Sequence, residues 1–353
     1  GRARGRLRVL PGVKTAILDP RASVSLDDYI VDFAWSPDGR SIAVAGGEGR
    51  IFIVERTLQS LAARVIGEHE LGALAVAWSP KGGTFASAGQ DSAVVLWDGA
   101  GVSAVKRLRP GTAWTEHLAW SPDGKLLAAA TGKTLGLWTI EGECVQRFEH
   151  ASSIAALAWD KPGRDLAAAT NGAVWLHRIE APRFASREYK WPAPALTAAF
   201  SPNGKVLASG MQDGSIHFWY LATGRNSRMS GYATKVLLTA WSANSRYLAT
   251  SAGAEIIVWD FGGKGPEGSR PLELNGHTER IERLAFHPSG PYLASGGRDW
   301  RLALWLPGKA AQPLDAHLVD AEVSALRWSP DGKVLAVGER EGKLTVYALV
   351  EPD

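Results

Sequence analysis

Two sets of residues in this chain have the composition of a hydrolytic centre. His69, Ser87 and Asp91 are followed by Trp97, and His277, Ser295 and Asp299 are followed by Trp305 at the same spacing. A serine hydroxyl activated by an imidazole, itself oriented by a carboxylate, would attack an acyl or phosphoryl centre. Such a centre needs an accessible hydroxyl and an oxyanion-binding group, and it is needed once. A constellation that occurs twice, with nothing beside it to hold an oxyanion, points to a repeated structural element. No residue is assigned a catalytic role on this basis.

Other short motifs are weaker. Thr131-Gly-Lys-Thr134 has the tail of a phosphate-binding loop, but the earlier glycine that such a loop requires is Leu127. Asp27 and Asp28 are two adjacent carboxylates without further oxygen ligands. The histidines show no metal-ligand spacing, and the one cysteine, Cys144, excludes an internal disulfide and a cysteine-built zinc site. Neither a metal nor a cofactor is expected.

The elements that carry these residues come from a repeat. Trp35-Ser-Pro-Asp-Gly39 recurs from Trp78, Trp120, Trp159, Phe200, Trp241, Phe286 and Trp328, with spacings of 43, 42, 39, 41, 41, 45 and 42 residues. In each copy an apolar run leads into the aromatic. A proline- and glycine-containing turn follows, then a second run such as Leu-Ala-Ser-Gly, a polar turn, and a third run that often ends on tryptophan. A looser fourth segment reaches the next copy. Five- to seven-residue runs rich in β-branched and aromatic residues, bounded by turns, predict strands, and no 3.6-residue period predicts helix. Apolar residues are 45% and charged residues 21% of the 353, so the chain folds around a core and is not a disordered tail. No apolar run reaches the length of a membrane-spanning helix.

Four strands per repeat, eight times over, predict an all-β propeller. The Ser-Pro-Asp-Gly turns, Leu-Ala-Ser-Gly second strands and Trp-Asp third-strand ends together resemble the WD40-repeat family over nearly the whole chain. Eight copies predict an eight-bladed WD40-type β-propeller, with seven blades plus an extra unit as the alternative. Six residues after Tyr347 are too few for a fourth strand, so the N-terminal segment from about Asp19 to Leu26 is expected to close the last blade. Residues 1–18 are then an N-terminal basic extension and 19–353 a single propeller domain. The resemblance also implies that His69, Ser87, Asp91, Trp97 and His277, Ser295, Asp299, Trp305 are the hydrogen-bonded tetrads that pin loops within a blade. In blade five Trp191 takes the histidine position beside Ser209, Asp213 and Trp219. Blades one, three, four, six and eight lack the set, and their loops are expected to be held less firmly.

Members of this family are platforms whose loops recognise partners at the rim of one face. By offset from each lead aromatic, that rim holds Tyr29, Trp114, Lys235, Arg280, Glu282, Arg298 and Arg340, with Trp300 close by. Arginines beside exposed aromatics predict an acidic or phosphorylated segment as the partner. The competing reading is that Glu282 and Glu322 neutralise the arginines. The expectation is therefore a non-enzymatic, monomeric, cytoplasmic protein-interaction scaffold that binds proteins or peptides and no membrane. The alternatives are an enzyme using the propeller channel and a nucleic-acid binder acting through Arg2, Arg4, Arg6 and Arg8. Those four arginines outweigh the net charge of +3, so the remainder is close to neutral and nucleic acid is the less expected partner. The ten-residue stretch from Phe261 to Arg270 is expected to be a flexible insertion.

Overall fold

The lead aromatics and Ser-Pro-Asp-Gly turns set where each chain reversal falls. In the first copy Ser36 Oγ donates to Asp38 Oδ1 at 2.6 Å and accepts the Ser41 amide at 2.9 Å, while Asp38 Oδ1 takes the Arg40 amide at 3.0 Å. The Ser36 hydroxyl, more than any other group, holds the Asp38 carboxyl below its ordinary value. Gly39 closes the turn at φ 68°, where a side chain would be strained. The same turn recurs with asparagine: Ser201 and Ser242 donate at 2.8 Å to Asn203 and Asn244. Where the motif reads His-Pro-Ser-Gly, His287 replaces the serine. Its Nδ1 accepts the Ser289 and Gly290 amides at 3.2 and 2.6 Å, so Nε2 carries the proton and donates to the Gly332 carbonyl at 2.9 Å.

The computed structural model describes residues 6–7, 15–100, 103–180 and 183–352. It contains eight antiparallel sheets of four chain-consecutive strands, one per repeat, and no helix among the described residues. This is an all-β, eight-bladed β-propeller, which removes the seven-blade alternative. Ile17–Ser25 supplies the outer strand of blade eight by pairing with Lys343–Val350, from Ile17 opposite Val350 to Ser25 opposite Lys343. The strand starts two residues ahead of the segment expected for this closure. Its Pro20 lies on the outer edge, where a missing amide donor costs no ladder bond, and the register shifts between Pro20 and Ala22. Arg6–Leu7 pairs with His317 and Ala316 as a fifth strand on blade seven. Arg2, Arg4 and Arg8 of the basic arm lie outside the described residues.

The chain divides into two compact units. One comprises Leu26–Thr57 and Leu61–Phe200 and contains blades one to four. Between its first two blades, Ala43, Ile51, Ile53, Val76, Trp78 and Phe85 form a buried cluster, with the Trp78 and Phe85 rings 4.9 Å apart. The other comprises Gly1–Ser25, Leu58–Ser60 and Ser201–Asp353. There Ile256, Val258, Ile281, Leu293 and Trp305 pack blades six and seven together. Lead tryptophans bridge successive blades by a repeated bond: Trp120, Trp159 and Trp328 donate Nε1–H at 3.0 Å to the carbonyls of Ala77, Ala119 and Ala285. Each acceptor directly precedes the lead aromatic of the blade before. An indole buries about 150–250 Å², or about 4–6 kcal/mol of gross transfer free energy, so these wedges dominate the packing between sheets.

Candidate interaction face

The strand register of blades two and seven brings each predicted tetrad together. In blade two the Trp97 indole donates to Ser87 Oγ at 2.9 Å, Ser87 Oγ meets His69 Nε2 at 2.9 Å, and His69 Nδ1 meets Asp91 Oδ1 at 2.8 Å. In blade seven the corresponding distances are 2.8, 2.7 and 2.9 Å for Trp305, Ser295, His277 and Asp299. The aspartates carry the bonding into the loop before the blade: Asp91 Oδ2 accepts the Glu70 amide at 3.3 Å and Asp299 Oδ2 the Thr278 amide at 2.8 Å. Burial alone would raise the Asp299 carboxyl, but the His277 bond and charge outweigh it and hold the group below its ordinary value. Ser87 and Ser295 are fully buried and already accept an indole proton, so neither hydroxyl can meet a substrate.

Other blades fill the same frame differently, and two of them correct the expectation of weakly held loops. In blade six Thr250 stands in register where blade two has Ser87. The Tyr232 hydroxyl lies 2.5 Å from Thr250 Oγ1 and accepts the Trp259 indole at 2.7 Å. In blade eight Glu339 occupies the register position of Gly89 and Gly297. A Cβ at Gly297 would stand 2.9 Å from the His277 ring, so blades with the histidine exclude a side chain there. Blade eight has Val319 in place of the histidine, and Glu339 enters the vacated space. Its Oε2 accepts the amides of Asp320 and Ala321, both at 2.8 Å, which is the task Asp299 performs in blade seven. Burial pushes the Glu339 carboxyl above its ordinary value. Sequence reasoning marked neither residue: Tyr232 stands at the histidine position of its blade, nine residues before Trp241, but is not a histidine, and Glu339 stands at a position where blades two and seven have glycine.

Blade five gives two of these residues local partners. Asp213 accepts from Ser215 Oγ at 2.5 Å and Ser209 Oγ contacts the Gly210 carbonyl at 3.4 Å. The Phe261–Arg270 stretch is tied down and not a free insertion. Phe261 packs edge-on against Phe218 and Trp241 with centroids 5.2 and 4.7 Å away. Glu267 accepts from the Tyr220 hydroxyl at 3.0 Å and from Arg225 Nη2 at 3.1 Å.

The rim residues sort into two groups. Tyr29 and Trp114 are about half exposed, at 50% and 52%, and belong to the first unit. The Tyr29 ring lies against Gly47, where a Cβ would stand 1.8 Å from it. Asp28 caps the Glu48 amide at 3.0 Å, and Asp27 pairs with Arg50 at 3.2 Å, so this carboxylate pair serves its own loop.

Arg280, Glu282, Arg298, Trp300 and Arg340 belong to the second unit, where the charges alternate in a ladder. Glu282 accepts from Arg280 at 2.7 Å and from Arg298; Glu322 lies 3.9 Å from Arg298 and 3.1 Å from Arg340. Burial would raise the Glu282 carboxyl, but the bonds from Arg298 and Arg280 prevail and leave it below its usual range. The ladder therefore holds three cations and two anions. Beside it, Lys235, Leu237, Gly253, Arg280, Ile281 and Glu282 line a cavity of about 180 Å³ between blades six and seven. Trp300 is 40% exposed and sits at φ 60°, a left-handed conformation that a bulky residue rarely adopts.

Comparison with known proteins agrees with this architecture. The family described as the first β-propeller of IFT122 matches residues 29–255, and the WD domain, G-beta repeat, matches residues 268–305 and 308–347. The Arabidopsis thaliana protein "Cell division cycle 20.4, cofactor of APC complex" is 26% identical over 326 residues, which cover 84% of this chain and 69% of that protein. Autophagy-related protein 16 of the same plant is 24% identical over 311 residues, covering 85% and 60%. Cell division cycle 20.5, also from that plant, is covered over 55% of its length, so the chain spans little more than half of several relatives. Among solved structures, the C-terminal WD40 domain of Sif2 superimposes with a TM-score of 0.78 at 17% identity, covering 96% of this chain and all of that one. The computationally designed Ika8 protein also gives 0.78, at 21% identity, with 94% and 99% covered. Its repeats, its sheets and these matches together make the chain a member of the WD40-repeat β-propeller family.

Proposed function

We propose that this chain is a non-enzymatic protein-interaction scaffold, and that the ladder of blades six to eight receives an acidic segment of its partner. The observation that carries this reading is the alternation Arg280, Glu282, Arg298, Glu322, Arg340 beside the Lys235-lined cavity. The two glutamates splay and hold the guanidinium forks, and with Lys235 the patch keeps an excess of two positive charges. Each fork offers more donors than one carboxylate can use. A partner carboxylate or phosphate can add to a guanidinium that is already fixed in place, so less rotamer entropy is lost on binding. Trp300 supplies an exposed aromatic next to the charged stretch, the residue class that carries binding energy at interfaces. One relative is named as the cofactor of a larger complex, which is the same mode of action. Nothing in this reading needs a nucleophile.

The test is affinity capture of partners by the full chain and by an Arg280→Glu, Arg298→Glu, Arg340→Glu variant. The variant should keep its thermal unfolding transition and lose the main captured protein. Undiminished capture would remove the ladder as the site. A Glu282→Gln, Glu322→Gln variant, which frees the forks, should bind the same acidic partner more tightly.

A further inference from the structure

Blade four carries the tetrad frame with its central hydroxyl deleted. Ala168 stands in register where blade two has Ser87, and His177 where it has Trp97. His150 enters from the preceding loop. Its amide bonds the Lys133 carbonyl at 3.0 Å, just as the His69 amide bonds the Gly49 carbonyl at 2.9 Å. Two imidazoles therefore converge where blades two and seven place an indole, an imidazole and a shared hydroxyl. Their ring centroids are 5.2 Å apart.

Both side chains are buried, with His150 8% and His177 1% exposed. His177 Nδ1 is bonded to Ser186 Oγ at 2.8 Å. His177 Nε2 and both nitrogens of His150 are buried and have no hydrogen-bond partner. Three such atoms in one blade are costly, at about 1–3 kcal/mol each, and native folds rarely leave them without an occupant.

The surroundings select the chemistry of that occupant. Ala128, Leu135, Leu137, Ile154 and Leu166 form a buried apolar cluster, against which Phe148 and Trp175 pack. Phe148 stacks on His177 at 4.1 Å and Trp175 lies 5.7 Å from His150. Among the described residues no third histidine, cysteine or carboxylate completes a cluster. A hard or divalent cation would find no oxygen ligands in that apolar cluster, and as compensating charge only the exposed Glu149 carboxylate, which already accepts from Thr134 Oγ1 at 3.0 Å. A soft d10 monovalent ion needs neither, since imidazole is among its accepted ligands and a low coordination number suffices. Metal–imidazole bonds of about 2.0–2.1 Å let one ion join two rings at this separation. The Ser186 contact fixes the outer nitrogen of His177, the usual support for a ligating imidazole.

We propose that His150 and His177 form a two-imidazole site for a soft monovalent cation, copper(I) or silver(I), in the place of the missing blade-four hydroxyl. The site is independent of the ladder on blades six to eight.

Cys144 is exposed and would also take a soft ion, so the test uses the full chain carrying Cys144→Ser. Anaerobic copper(I) is titrated in competition with bicinchoninate, with zinc(II) as the divalent comparison. One equivalent of copper(I) should bind, with no zinc taken up. His150→Phe should abolish binding. Ala168→Ser with His177→Trp, which rebuilds the tetrad of blade two, should abolish it as well while raising thermal stability. No uptake by the Cys144→Ser chain, or one equivalent retained in either folded variant, would overturn the site. Uptake of zinc in place of copper(I) would overturn the monovalent assignment.

Discussion

Blades seven and four run the same backbone through the same register, yet they solve one buried-polar problem in opposite ways. Blade seven closes it: Trp305 donates to Ser295, Ser295 meets His277, and His277 meets Asp299, which caps the Thr278 amide. Every strong donor in that chain has an acceptor. Blade four keeps the histidine of the loop, exchanges the serine for Ala168 and the tryptophan for His177, and leaves three ring nitrogens without partners. Blades six and eight lie between these extremes, with the Tyr232 hydroxyl and the Glu339 carboxylate as substitutes. The frame is therefore a geometric slot, and what fills it varies from blade to blade. A polar network is worth its burial only when each member is satisfied.

The comparison is broken most forcefully at Ser295. Replacing it with alanine leaves the Trp305 indole N–H and His277 Nε2 unpaired inside a fully buried site. Two orphaned groups at about 1–3 kcal/mol each predict a loss of about 2–6 kcal/mol. Denaturant unfolding of the Ser295→Ala chain measures it. A loss below about 1 kcal/mol would mean that the network is not a stabilising unit.

A second contrast lies between an imidazole bonded to a carboxylate and one buried near a cation. His277 has Asp299 beside it. His217 in blade five is buried with Arg228 nearby, and burial first, then that cation, bring it down to about 4 despite Asn226 and Asp213. The unfolded chain titrates near 6.5, so between about pH 6.5 and 4 it binds a proton that the native state refuses. Stability from the neutral imidazole is present above pH 6.5 and drains away as pH falls through that window, by about 2–4 kcal/mol. His217→Phe should flatten this part of the stability–pH curve relative to the parent. An unchanged slope would show that His217 does not resist protonation.

Tyr232 tests the substitute network at smaller scale. Tyr232→Phe removes the acceptor of the Trp259 indole and the partner of Thr250 while keeping the ring. Thr250 retains its bond to the Ile257 carbonyl at 3.0 Å, so the expected loss is about 1–2 kcal/mol. Hydrogen exchange should show it as faster opening of residues 231–260 with blade seven unchanged.

The differences among blades also explain how far the sequence could be read. The lead aromatics and Ser-Pro-Asp-Gly turns recur because every blade needs the same reversal and the same wedge, so strand count, order and closure follow from them. The tetrads of blades two and seven were legible because four residues must meet at fixed offsets. Glu339 was not, because it reaches the loop amides from a glycine position on another strand, and register is three-dimensional information. His150 carried a usable signal. It stands at the histidine position of its blade, and the absence of serine and tryptophan downstream makes it conspicuous. The pairing of Arg280 and Arg298 with Glu282 followed from their shared rim positions, whereas the order of the ladder depends on side-chain directions that offsets do not supply.

The smallest expected effect is the most specific to the comparison. Ala168→Ser returns one hydroxyl to blade four, at a buried position whose register equivalents in blades two and seven already hold serine. The oxygen adds little volume, and its neighbours include two imidazoles that lack partners. A serine proton can go to one lone pair, and the oxygen can accept from the other ring. Burying the hydroxyl opposes this gain, so the net is about 0.5–1.5 kcal/mol of stabilisation. The same substitution at Ala86 of blade two, a buried position beside a complete tetrad, offers no orphaned nitrogen and should destabilise. If both serines cost the same, the gap at Ala168 is apolar in effect, and the two imidazoles do not await a polar occupant.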